Sequence, residues 1–102
     1  MADLKSSALT PTEDYVLERL RLLARDELDL RPEDLARLGP ETQLVEGLQL
    51  DSLKQVVLVT YIEEEFGFEL AYDDGERIQS MRTVGDLIRL IRERADPRRS
   101  WN

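Results

Sequence analysis

The feature that most constrains this chain is a mostly apolar run from Leu53 to Phe66, headed by Asp51-Ser52 and closed by Gly67. Its β-branched residues, Val56, Val57, Val59, Thr60 and Ile62, suit a strand, but its length and the acid-rich Glu63-Glu64-Glu65 segment favour a helix. The spacing predicts a helix from about Ser52 to Phe66, with Val56, Val59, Ile62 and Phe66 innermost and Leu53, Leu58 and Tyr61 flanking them. An Asp or Ser at such a head is commonly a cap, its side-chain oxygen accepting a first-turn N–H. The same position sets the Ser52 hydroxyl beside free N–H groups at the positive end of the helix dipole, which suits a phosphate ester. These residues alone leave both readings open.

Composition narrows the choice. A chain of 102 residues is one small domain with a single core. Charged residues make up 35% and hydrophobic residues 41%, as in a soluble globular fold, and no apolar stretch is long enough to cross a membrane. Residues Met1 to Ser7 lack the apolar core of a signal peptide and the arginines of a transit peptide, so the expectation is a cytoplasmic protein with a flexible leader. A monomer is the default at this size.

There is no cysteine and no histidine. Thiolate nucleophiles, disulfides, zinc sites built on Cys or His, and a Ser-His triad within the chain are therefore excluded. A serine without a base is a poor nucleophile, so if Ser52 reacts, another protein supplies the catalysis. The chain is expected not to be an enzyme. The net charge of −8 is uneven: ten acids and the single base Lys54 lie between Glu41 and Glu76, while six arginines face three acids from Met81 to Asn102. The acidic portion repels nucleic acid and suits a basic protein partner.

Along the chain, Thr10-Pro11-Thr12-Glu13 reads as a capped helix start, with Thr10 as N-cap, followed by an apolar stripe of Val16, Leu17, Leu20, Leu23 and Ala24 ending near Leu28. A long connection follows from Asp29 to Leu50. Within it Arg31 to Pro40 predicts a short helix with Gly39 as a left-handed C-cap, and Leu44, Val45, Leu48 and Leu50 are the expected core anchors. After Gly67, Phe68 to Tyr72 reads as extended, Asp73-Asp74-Gly75 as a turn, and Gly75 to Gln79 as a short helix with Ile78 facing inward. Thr83-Val84-Gly85-Asp86 forms a capping-box pattern before a last helix with Val84, Leu87, Ile88 and Ile91 inside, ending near Arg94. The fold class is all-α: four helices around one core, with a long loop between the first two and a short third helix. Residues 1–10 are expected to be a leader, 11–95 the domain and 96–102 a tail, in which the role of Trp101 is not legible.

Leu48-Gln49-Leu50-Asp51-Ser52-Leu53 resembles the phosphopantetheine attachment motif of acyl carrier proteins and the related peptidyl carrier domains. Pro40 to Leu44 resembles the family's loop leading to that motif, Glu63 to Gly67 the end of its second helix, and Thr83 to Leu87 the start of its last. The resemblance covers about Thr12 to Arg94. It implies that a phosphopantetheinyl transferase joins the phosphopantetheine of coenzyme A to Ser52, and that acyl groups ride on the arm as thioesters between acyl-loading and acyl-processing enzymes with basic docking patches. It makes Asp51, Leu53, Lys54, Val57, Glu63 and Glu64 candidates for partner binding, and Val56, Val59, Ile62 and Ile78 candidates for lining an acyl pocket.

Two departures stand out. Gln49 replaces a usual glycine, and Lys54 and Val57 occupy positions where carriers of fatty acid synthesis usually have acids. The first bears on the shape of the turn before Asp51; the second implies a dedicated fatty acyl, polyketide or other specialised pathway. The alternatives are a peptidyl or aryl carrier loaded by an adenylating enzyme and, from a different class, an unmodified helical interaction scaffold.

Overall fold

The computed structural model describes residues 10–70, 77–99 and 101. The leader expected over residues 1–9, the turn expected at 73–75 and the first residues of the short third helix lie outside them. The elements are α1 (Glu13–Asp26), α2 (Pro32–Ala36), α3 (Leu44–Gly47), α4 (Ser52–Phe66) and α5 (Val84–Arg94), and residues 77–79 are also helical. The all-α expectation holds. The first helix packs on α5 and α2, and α4 packs on α5.

The start of α1 differs from the expected one. Thr12, not Thr10, is the N-cap, and its Oγ accepts the Tyr15 N–H at 3.1 Å. Pro11 lies outside the helix and is buried, its carbonyl accepting Arg92 Nε at 2.9 Å. Anchoring Pro11 on α5 moves the first helical bond to Val16 N–H on the Thr12 carbonyl, at 3.1 Å. Val16, Leu20, Leu23 and Ala24 are buried as their spacing predicts. Arg19 Nε lies 2.9 Å from Glu65 Oε2, tying α1 to α4 by charge attraction although it makes no hydrogen bond.

The long connection has structure of its own. Arg37, in right-handed conformation, ends α2, so Gly39 is not the expected left-handed cap. Leu38 is buried one residue later and its carbonyl accepts Arg21 Nη2 at 2.8 Å. A helical turn that the sequence did not suggest, α3, buries Leu44 and Leu48 one turn apart, which leaves Val45 outside at 47% exposure rather than in the core. Gln43 and Thr83 form an antiparallel bridge, with Leu44 N–H on the Arg82 carbonyl at 2.9 Å and Val84 N–H on that of Thr42 at 2.8 Å. Gly85 N–H reaches the Pro40 carbonyl at 2.7 Å, and a Cβ on Gly85 would stand 3.0 Å from that oxygen. The approach to α4 is thus clipped to the start of α5, which joins two of the family-like stretches directly.

The capping box at α5 forms as expected. Thr83 Oγ accepts the Asp86 N–H at 3.2 Å, and Asp86 Oδ2 accepts the Thr83 and Arg82 N–H groups at 3.2 and 3.1 Å. Those backbone donors hold the Asp86 carboxyl below the usual carboxylate range.

Candidate functional site

The expected helix over Ser52 to Phe66 is present, but its inner face is rotated. Leu58, Ile62 and Phe66 are buried. They repeat every four residues, each about 40° on from the one before, whereas Val56, six residues before Ile62, lies about 120° from it. Val56 is accordingly 62% exposed and Leu53 73% exposed. Following an i, i+3 spacing from Val56 let the sequence-derived face drift off the core.

At the head of α4 the two readings of Asp51-Ser52 divide between the two residues. Asp51 is the cap, its Oδ1 accepting the Lys54 N–H at 2.8 Å and its carbonyl the Gln55 N–H at 2.9 Å. Ser52 is the first helical residue and is exposed. The N–H groups of Ser52 and Leu53 precede the first intrahelical bond and are free to face a negative charge. The chain turns into this position through Gln49, whose φ is 55°, a left-handed conformation that favours glycine. The Gln49 amide reaches Asp34 Oδ2 of α2 at 3.5 Å, a long, exposed contact.

Two grooves run along α4, one on each side of a ridge made by Val56 and Thr60. The first, of about 320 Å³, begins at Ser52 and is lined by Gln55, Val56, Val59, Thr60 and Gln79. None of its described lining side chains is charged. The second, of about 340 Å³, is lined by Val56, Val57, Thr60 and Tyr61 and rimmed by Glu27 and Glu64. Of the expected pocket residues, Val56 and Val59 reach the groove at Ser52, while Ile62 and Ile78 are 0% and 2% exposed in the core.

The expected partner residues also separate. Leu53 and Glu64 are exposed, and Val57 and Lys54 are half-buried. Glu63 turns to the chain itself, its Oε2 accepting the Leu70 N–H at 2.8 Å. The residue that sequence reasoning missed is Glu27, the C-cap of α1. Nothing near it in sequence marks it, because only the packing of α1 beside α4 brings it opposite Glu64.

The geometry sets together a presented hydroxyl at a helix head, an apolar-walled groove leading from it, and a cap carboxylate already committed to a backbone amide. The residues fit a phosphopantetheine arm, because Ser52 Oγ is reachable from solvent and the first-turn amides tolerate the phosphodiester. The family model described as the phosphopantetheine attachment site matches residues 18–91, which include Ser52.

Among curated relatives, the acyl carrier protein of Phenylobacterium zucineum is 40% identical over 79 residues, covering 78% of this chain and 92% of its own length. That of Thermosynechococcus vestitus is 34% identical over 76 residues, covering 74% and 90%. That of Chlamydia trachomatis serovar D is 41% identical over 69 residues, covering 68% and 82%. The chain belongs to the phosphopantetheine-binding acyl carrier protein family. Members of that family carry cargo and are not catalysts. No helix among the described residues is long and apolar enough to cross a membrane.

Proposed function

We propose that Ser52 is the residue that takes the phosphopantetheine arm and that the chain holds acyl intermediates for a dedicated pathway. The observation that carries the first part is the placement of Ser52: exposed, first in α4, at the mouth of a groove walled by Val56 and Val59. When attached, the arm supplies a terminal thiol on which acyl groups travel as thioesters. The chain's own residues orient it. Asp51 fixes the first turn, the Ser52 and Leu53 amides face the phosphodiester charge, and Val56 and Val59 offer apolar wall beside the arm. The chain has no histidine and the Asp51 carboxylate is engaged by the Lys54 N–H, which supports the transferase as the source of the base that takes the Ser52 proton.

The experiment is intact-protein mass after incubation with coenzyme A and a broad-specificity phosphopantetheinyl transferase. A gain of one prosthetic group, absent in Ser52→Ala, supports the reading. No gain on folded protein contradicts it and favours the unmodified scaffold. A peptidyl or aryl carrier shares this step, and is distinguished by loading of the modified chain by an adenylating enzyme rather than by acyl transfer.

Support for a dedicated pathway comes from the docking face. Near Ser52 it offers Leu53, Val56, Val57 and Lys54, and Lys54 has no ion-pair partner among the described residues. Of its acids, Asp51 beside Ser52 is held by the Lys54 N–H, and Glu27 and Glu64 stand on the second groove. A partner with basic groups facing the head of α4 meets a like charge there, which penalises docking. Lys54→Asp with Val57→Glu is expected to raise kcat/KM with general fatty acid elongation enzymes by about tenfold. Equal turnover of the native chain and the double variant would refute the dedicated-pathway reading while leaving carriage on Ser52 intact.

A further inference from the structure

Past α5 the chain turns back over the bundle, beyond the residues matched by the family model. The Asp96 N–H donates to the Phe66 carbonyl at 3.0 Å, and Arg99 Nη1 donates to the Glu65 carbonyl at 3.0 Å. Both acceptors belong to the last four carbonyls of α4, which a helix end leaves without helical donors. The Glu63 carbonyl is taken by the N–H groups of Gly67 and Phe68, so the foot of α4 is closed partly by its own turn and partly by this returning segment.

The Trp101 indole is 5% exposed and lies 5.6 Å from the Phe66 ring and 6.1 Å from that of Tyr15, centroid to centroid. Tyr15 and Phe66 themselves meet edge to face at 6.4 Å. Trp101 Nε1 donates to the Asp96 carbonyl at 2.9 Å, which satisfies the one polar atom of the buried ring. Asp96 is itself fixed, with Oδ1 accepting the Arg98 N–H at 2.9 Å. The Arg99 guanidinium lies over Gly67, where a Cβ would stand 2.8 Å from its Cζ, and 5.9 Å from the indole centroid. Gly67 thus serves the left-handed turn at φ 75° and makes room for the returning arginine.

We propose that residues 95–99 together with Trp101 form a strap that closes the bundle at the end remote from Ser52, with Trp101 as its fastener. One indole meets α1 through Tyr15 and α4 through Phe66, while Ala95 and Asp96 lead directly out of α5. Three helices are joined at that end, about 20 Å along α4 from the serine. The strap anchors α4 at its foot, whereas the head is reached through the clipped loop and turns Leu53 and Val56 outward.

The test uses the full chain, whose single tryptophan reports on the strap directly. In the native protein the indole is expected to resist acrylamide quenching. Trp101→Ala is expected to raise the unfolding equilibrium constant at least a hundredfold in a denaturant titration. Arg99→Ala, which keeps the indole, is expected to speed hydrogen exchange at the Asp96 amide about tenfold while the Gln55 amide at the head of α4 exchanges as before. Any of three results would overturn the proposal: native Trp101 quenched as freely as a free tryptophan derivative, Trp101→Ala leaving the denaturant midpoint unchanged, or Arg99→Ala altering the two amides alike. The quenching and exchange measurements decide the matter even if Trp101→Ala does not fold.

Discussion

At the head of α4 Leu53 is 73% and Val56 62% exposed, whereas Ile62 and Phe66 toward its foot are 0% exposed. The head is no less apolar in sequence than the foot; what differs is where each side chain falls around the helix and what is folded over it. The head is defined by backbone features: an Asp51 cap, a left-handed Gln49 and first-turn amides with no partner. The foot is defined by burial, through Trp101, Tyr15 and returning donors from Asp96 and Arg99. A helix held at one end and open at the other can present a residue to successive partners without disturbing its own core. This contrast gives a physical reason for the strongly apolar α4 in a carrier: Leu58, Ile62 and Phe66 hold the bundle together while Leu53 and Val56 are offered outward.

Truncation at the foot is expected to have the largest effect. Phe66→Ala removes a fully buried ring that touches Tyr15 and Trp101, and is expected to cost about 3–5 kcal/mol of unfolding free energy in a denaturant titration. A loss below about 1 kcal/mol would erase the contrast. Gln49→Gly, on the approach to the head, is expected to gain about 1 kcal/mol, because relief of the left-handed strain outweighs the extra freedom of glycine in the unfolded chain. A loss would mean that the contact with Asp34 matters more than the backbone angle. Val56→Ala at the head is expected to change stability by less than about 0.5 kcal/mol. A cost near that of Phe66→Ala would place Val56 inside the core, as its sequence spacing first suggested.

Much of this arrangement was legible in the sequence because it depends on local signals. The Thr83 and Asp86 capping box, the Gly67 terminus, the α1 stripe and the Asp51-Ser52 head each rest on neighbours within about one helical turn. The family resemblance of four ordered stretches identified the class, and the bridge between Gln43 and Thr83 supplies a physical reason why two of them belong together. What was not legible depends on distance or on small angles. Glu27 joins the groove only through helix packing, and Trp101 is buried only because the chain reverses after α5. The orientation of Val56 turns on 100° per residue accumulated over six residues. The strained angle at Gln49 was foreshadowed by its standing where a glycine is usual, but its conformation needed coordinates.

The central claim is that α4 presents Ser52 for attachment, and the most direct measurement is fragment-ion localisation of the prosthetic group on the chain after modification with coenzyme A and a phosphopantetheinyl transferase. The account predicts a single added group on Ser52, with the exposed Ser80 unmodified. Attachment at any other residue, or none on folded protein, would contradict it.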